Sequence, residues 1–142
     1  MDGDGDMDFV TTLGLVKGII PTDYHHISWY ENNLDEAKTW NKHYVSRLDY
    51  AFDVDVGDID NDGTLEIVVT AHESKGSLIV FDKTKSGWQK ITLRDNWPAV
   101  NRVHLNDIDG DGDLDITATA DTGNRISQDG QQSLVWWRNN IQ

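Results

Sequence analysis

Carboxylates on alternate residues, interrupted by glycine, occur three times in this chain. In the stretch from Asp107 to Asp115, Asp107, Asp109 and Asp111 stand at positions one, three and five, and Gly112 stands at position six. Asp113 would offer its backbone carbonyl at position seven, and Asp115 closes the set at position nine. The earlier stretch repeats this with Asp58, Asp60, Asp62, Gly63, Thr64 as the carbonyl donor, and Glu66. The first stretch keeps Asp2, Asp4, Gly5, Asp6 and Asp8 but lacks position one. Hard cations take several oxygen ligands in flexible geometry, and a loop with acids on alternate residues supplies them. Magnesium demands a rigid octahedron and keeps several waters, so calcium is the better match. Two strong sites and a weaker first one are expected, two to three Ca2+ ions in all. Asp and Gly also form plain turns. Three copies, each at the same place in its repeat, argue for metal instead. The ion's role is structural, because four or five carboxylates crowded on one turn repel each other without it.

The charge agrees with this reading. The net charge is -13, with 25 acidic residues. About half of these acids lie in the three loops, whereas a solvated acidic surface would spread them. Such a chain repels a phosphate backbone, so no nucleic-acid partner is expected. There is no cysteine, which excludes disulfides and thiolate metal sites. No apolar run approaches the ~20 residues needed to span a membrane as a helix. The start, Met1-Asp2-Gly3-Asp4, lacks the basic and apolar regions of a signal peptide. A mature fragment with an added Met is the expectation.

The elements that must hold the loops are short strands. Tyr50 to Val56 and Val100 to Leu105 alternate as strands do, and Leu65 to Thr70 and Leu114 to Thr119 leave the loops. An aromatic element then follows: Ile27-Ser28-Trp29-Tyr30-Glu31-Asn32-Asn33 matches Leu134-Val135-Trp136-Trp137-Arg138-Asn139-Asn140, with Leu78 to Lys83 in the middle unit. Trp40 and Trp88 stand at matching distances upstream of the second and third loops. Each unit therefore reads as a strand near the Trp, a strand into the loop, a strand out of it, and the aromatic strand. Only Leu34 to Lys38 has helical character. Four strands in about 40–60 residues is the size of a propeller blade. The fold class is all-β: β-propeller blades of four antiparallel strands, about two and two-thirds of them. Residues 1–142 form one partial propeller domain with units at approximately 1–35, 36–86 and 87–142. A ring needs ~4–8 blades. The chain is thus expected to be a fragment of a longer protein, or one protomer of an assembly or filament that covers its end faces.

These loops and the aromatic strand resemble the FG-GAP/VCBS repeat family. Asp58 to Val69 and Asn106 to Ile116 look like its core motif, and Ile27 to Asn33 looks like the strand that follows. The resemblance implies a seven-bladed propeller, extracellular or cell-surface placement, and calcium in each loop for stability. The Phe-Gly and Gly-Ala-Pro signatures of integrin repeats are absent, so the bacterial type is the nearer one.

Other residues bear on function. His25 and His26 offer imidazoles for a metal or a catalytic pair, although a loop histidine is more often plain surface. Arg102 and His104 share one face of a strand that would line the central channel, where an anionic or sugar group could bind. Six tryptophans suggest either sugar stacking or core packing. The matching positions of Trp29, Trp136 and Trp137 favour the core, which leaves Trp97 as the surface platform. No Ser/His/Asp order or phosphate loop is present. A non-enzymatic module for glycan or protein binding, adhesion or surface assembly is preferred. The alternative is part of a propeller enzyme acting on carbohydrate, of polysaccharide lyase or sugar dehydratase type.

Overall fold

The computed structural model describes residues 1–12, 26–33, 39–71, 75–121 and 132–139. His25 and the helical stretch Leu34 to Lys38 lie outside these residues. The described residues form ten strands and no helix. They are β1 (Phe9–Thr12), β2 (His26–Asn33), β3 (Thr39–Arg47), β4 (Ala51–Gly57), β5 (Glu66–Ala71), β6 (Ser77–Thr84), β7 (Gly87–Arg94), β8 (Val100–Asn106), β9 (Asp115–Asp121) and β10 (Gln132–Trp137). They pair as three antiparallel meanders, β1-β2-β3, β4-β5-β6-β7 and β8-β9-β10. The fold is all-β, with propeller-like blades that do not close among these residues.

The pairing revises one expectation. The Trp-bearing strands β3 and β7 do not open a unit. Each is the last strand of the sheet before it, paired with β2 and β6. A division at residues 36 and 87 cuts through these two hydrogen-bonded pairs. The spacing of Trp40 and Trp88 from the following loops is real, but spacing along the chain does not say which neighbour a strand pairs with.

The second sheet lies between the other two, and its sequence shows it. Every residue of β5 is buried, as expected of a strand covered on both faces. Ile67, Val69 and Ala71 join Ile79 and Phe81 from β6 and Ile27, Trp29 and Val45 from the first sheet in one apolar cluster. Val68, Leu78 and Val80 face the other way and pack with Val100, Val103, Ile116, Ala118 and Ala120 of the third sheet. The alternation of β5 and β6 is thus divided between two cores.

This placement sorts the tryptophans. Trp29 is buried against the second sheet. Trp136 stands at the matching place on β10 but is 45% exposed, and its neighbour Trp137 packs on the second core instead. The reason is that the first and third sheets meet the second with opposite faces. Trp97 is no surface platform: it is 4% exposed. Its ring lies edge-on to Trp137 at 5.6 Å, beneath the Arg94 guanidinium at 4.1 Å. Its Nε1 donates to Ser133 Oγ at 3.3 Å, and its backbone N–H donates to Gly76 O at 3.1 Å. Gly76, at φ 72°, sits so close that a Cβ there would meet Trp97 O at 2.0 Å.

The strands that enter the second and third loops share one more device. β4 and β8 each carry a bulge, and the freed N–H groups of Asp53 and Arg102 donate to Thr70 Oγ1 (3.2 Å) and Thr119 Oγ1 (3.3 Å) on the next strand. The bulge aims Asp53 at the third sheet, where its Oδ2 accepts the Val103 N–H at 3.1 Å. Asp55 Oδ2 likewise accepts the Leu105 N–H at 2.8 Å. Carboxylates of one entering strand thus hold the backbone of the next.

Truncating Trp97 to Ala removes a ring shared by two sheets. It is expected to lower unfolding stability by about 3–5 kcal/mol. Leu134→Ala, at a side chain 72% exposed, should change it by no more than about 0.5 kcal/mol. Urea unfolding of both variants checks this; equal effects would contradict the packing described.

Candidate metal-binding loops

The three acidic stretches lie in equivalent places. The second links β4 to β5, the third links β8 to β9, and the first leads into β1. Their backbones follow one path. Positions four and six are left-handed in all three: Gly3 and Gly5, Asn61 and Gly63, Gly110 and Gly112, with φ between 57° and 98°. Glycine takes this conformation freely, and asparagine is among the few other residues that tolerate it. Position six was legible in the sequence. Position four was not, although its Gly/Asn/Gly pattern carried the signal.

The path turns backbone N–H groups toward the carboxylates. At position one, Asp58 accepts from Asp62 N (3.1 Å) and Gly63 N (3.0 Å), and Asp107 accepts from Asp111 N (3.1 Å) and Gly112 N (3.0 Å). Each acid at positions three and five also accepts from the N–H two residues on, as Asp60 does from Asp62 and Asp111 does from Asp113. The first loop keeps these shorter bonds at Asp2 and Asp4.

Position nine ties the loop to its sheet. Glu66 is 3% exposed and Asp115 is fully buried. Each accepts the N–H of position two, Ile59 to Glu66 at 2.7 Å and Ile108 to Asp115 at 3.0 Å. In the first loop the Met1 amino group takes this place and pairs with Asp8. The other oxygen of the Asp at position nine is clamped from the aromatic strand: Asn32 N reaches Asp8 Oδ1 at 2.9 Å, and Asn139 N reaches Asp115 Oδ1 at 2.7 Å.

Sequence reasoning missed these asparagines. Asn139 Nδ2 also donates to Leu114 O (3.3 Å) and, across sheets, to Ile59 O (2.6 Å) in the second loop. At the matching place on β6, Lys83 Nζ donates to Met1 O (2.8 Å) in the first loop. So the aromatic strands of the second and third sheets each steady the loop of the sheet before. The paired asparagines of the aromatic motif were visible in the sequence; what they touch was not. Loops two and three also meet directly, through Asn61 Nδ2 and Asp113 Oδ1 at 2.6 Å.

The acids gather differently in each loop. One oxygen each from Asp58, Asp60 and Asp62 lie within 4.8 Å of one another, and so do oxygens from Asp107, Asp109 and Asp115. Oxygens sharing one calcium at ~2.4 Å lie at most ~4.8 Å apart, so the spacing of both groups is compatible with one divalent cation. Among the described residues, the acids of the first loop form no such group. Thr64 engages with its side chain as well, its Oγ1 donating to Asp62 Oδ1 at 2.5 Å.

Two carboxyls, Glu66 and Asp6, are raised by burial and by neighbouring acids. Burial pushes the Glu66 carboxyl up, and Asp60, Asp58 and Asp62 push it further, against the Ile59 hydrogen bond. Asp6 is raised by desolvation and then by Asp4, Asp8 and Asp2. Burial also opposes ionisation at Asp115, but the N–H groups of Asn139 and Ile108 outweigh it and hold the carboxyl below its ordinary range. In Asp8 the Met1 amino group and Asn32 overcome burial in the same way.

Other candidate residues take structural partners. Arg102 Nη1 lies 3.4 Å from Asp53 Oδ1, and His104 Nδ1 lies 3.9 Å from Asp55 Oδ2, so both pair with the neighbouring entering strand. The His26 ring packs edge-on to Tyr44 at 5.2 Å.

Residues 1–69 match the family model of the FG-GAP-like repeat. The match spans the first two loops and the strands from β1 into β5, and it is consistent with an FG-GAP/VCBS-like repeat family. The third loop lies beyond it and shares with the second its left-handed positions and the hydrogen bonds at positions one and nine. Comparison with curated proteins and with solved structures gave no match.

Glu66 gives a test by pH. A carboxyl raised in the folded state contributes stability below its ordinary value, and that contribution is lost as pH rises through the raised value. At neutral pH in chelator, Glu66→Gln is therefore expected to unfold at higher urea than the parent chain. In calcium the order should reverse, because the variant loses a charged ligand. Asp115, held low, acts in the opposite sense and is unchanged in the comparison. A variant less stable than the parent in chelator would contradict the crowding.

Proposed function

We propose that this chain is part of a calcium-stabilised β-propeller, working outside the cell or on its surface as a non-enzymatic module for glycan or protein binding, adhesion or assembly. One observation carries the calcium reading. Two loops of identical backbone path each bring three carboxylate oxygens to within 4.8 Å on an all-oxygen donor set, which is the chemistry of a hard cation. FG-GAP-like repeats often bind calcium, which supports the choice of ion. Asp58, Asp60, Asp62 and Glu66 would hold one ion, and Asp107, Asp109, Asp111 and Asp115 another. Thr64 and Asp113 would add their carbonyls, and Asp2, Asp4, Asp6 and Asp8 would form a weaker site.

Two surfaces support a binding or assembly role. Leu134 and Trp136 are 72% and 45% exposed on β10, where the matching Ile27 and Trp29 of β2 are buried under the next sheet. A further blade, or a second copy of the chain, suits that face. On the first sheet, Phe9, Trp40 and Tyr44 share the face turned away from the second sheet. Phe9 is 60% and Tyr44 58% exposed, and the Phe9 and Trp40 rings meet edge-on at 5.3 Å. Such a patch suits a sugar ring or an apolar protein side chain.

Calorimetric titration of the chelator-stripped protein tests the calcium reading. Uptake of two ions is expected, with dissociation constants on the order of 10⁻⁴–10⁻³ M, as in extracellular modules. Asp58→Ala and Asp107→Ala should each abolish one. Calcium at 100 times its dissociation constant adds about 2.7 kcal/mol per site, so chelator should lower Tm by roughly 5–10 °C for each filled site. No heat of binding at millimolar calcium, with Tm unchanged by chelator, would leave the loops as ordinary turns.

A further inference from the structure

The second and third loops share positions one, three, five and six, the left-handed residues and the position-one hydrogen bonds, yet their carboxylates converge differently. In the second loop the group is Asp58, Asp60 and Asp62. In the third it is Asp107, Asp109 and Asp115, and Asp111, the counterpart of Asp62, is missing from it. Within the loops, Thr64 and Glu66 stand where the third has Asp113 and Asp115; beside them, the residue that follows Phe81 in the second sheet and Trp137 in the third also differs. The pairings Ile67 with Phe81 and Ile116 with Trp137 set the register. They place Asp82 in the second sheet where Arg138 stands in the third.

Arg138 lies against the third loop. Its Nε pairs with Asp109 Oδ2, and its Nη2 lies 3.6 Å from Asp111 Oδ2. The base of the side chain is fixed, because the next residue, Asn139, is bonded through its backbone to Asp115 and through its side chain to Ile59 and Leu114. The Arg138 side chain is about half exposed. It therefore sits at the solvent edge of the acid cluster, between Asp109, which belongs to the converging group, and Asp111, which does not. Charge at this position is reversed in the first sheet. There Pairing of Phe9 with Tyr30 puts Glu31 in the same place, and Glu31 lines one cleft of about 550 Å³ together with Asp2, Asp4 and Asp6.

Resting on the calcium reading above, we propose that Arg138 is an internal counter-cation of the third loop, and that calcium must displace it to recruit Asp111. The residue at this one position then sets the order in which the loops fill. The second loop, with Asp82 there, binds more tightly than the third. Arg138 also stabilises the empty third loop by relieving repulsion between Asp109 and Asp111. Its removal therefore acts in opposite directions on the empty and the filled protein.

The test is calcium calorimetry on the full chain in an Asp58→Ala background, which isolates the third loop, with Arg138→Ala and Arg138→Glu added separately. A half-exposed ion pair is weak, so Arg138→Ala should tighten calcium binding about two- to fivefold. Arg138→Glu should tighten it by about tenfold. Thermal unfolding of Arg138→Ala should show a lower Tm than the parent in chelator and a larger rise on adding calcium. Equal or weaker binding in Arg138→Ala, while the parent still takes calcium in the third loop, overturns the proposal and leaves the calcium reading standing. Absence of calcium uptake in the parent and in Asp58→Ala overturns both. Should Arg138→Glu fail to fold in chelator, Arg138→Lys decides. It keeps the charge but loses the fork that spans two carboxylates, and its affinity should fall between parent and Arg138→Ala; an affinity below the parent overturns the proposal.

Discussion

Mutual repulsion among carboxylates held on a single tight turn is the constraint around which the rest of this structure is arranged. Each loop places acids at every second residue and then folds them back on themselves. The backbone meets the cost partly by itself, turning N–H groups at positions five and six onto the first acid. That arrangement requires two left-handed residues per loop, and every loop has Gly or Asn at both places. What the amides leave uncompensated is visible at Glu66, whose carboxyl is raised by burial and by its three neighbours. A divalent cation would remove that residue of repulsion more effectively than any contact the chain makes with itself.

The loops also organise the sheets. The acid at position nine is the first residue of the outgoing strand in the second and third sheets, and it is buried there. It joins the start of its own loop to the body of the sheet. The aromatic strand adds a link across sheets, from Asn139 to the second loop and from Lys83 to the first. Entering strands are linked by Asp53 and Asp55, which accept amides of the following one. A change in one loop is thereby felt at the interface with the next sheet. In this arrangement the loops act as joints between blades, not as ornaments on separate ones.

Much of this was legible in the sequence. Alternate acids with glycine mark the loops, because cation ligation and tight turning both constrain residue type at fixed offsets. The all-buried run of β5 reads as a strand because apolar residues there are continuous. Less legible was anything decided by which strand pairs with which. Trp40 and Trp88 have fixed spacing from the loop that follows, yet β3 and β7 bond to the strand before. Trp136 matches Trp29 along the chain, but the third sheet turns its opposite face to the second, so one ring is exposed and the other buried. Trp97 precedes a proline in what reads as a surface loop; only the close approach of Gly76 and the ring of Trp137 explain its burial. Arg138 and Asn139 were seen as part of an aromatic motif, but their partners lie in loops distant in sequence.

The central claim is that the second and third loops each enclose one calcium ion. It is tested most directly by a crystal structure grown in calcium, with anomalous scattering used to locate the ions. The account expects one peak within Asp58, Asp60, Asp62 and Glu66 and one within Asp107, Asp109, Asp111 and Asp115, with Arg138 swung away from the latter. Loops that hold only water at saturating calcium, with Arg138 still on Asp109, would contradict it.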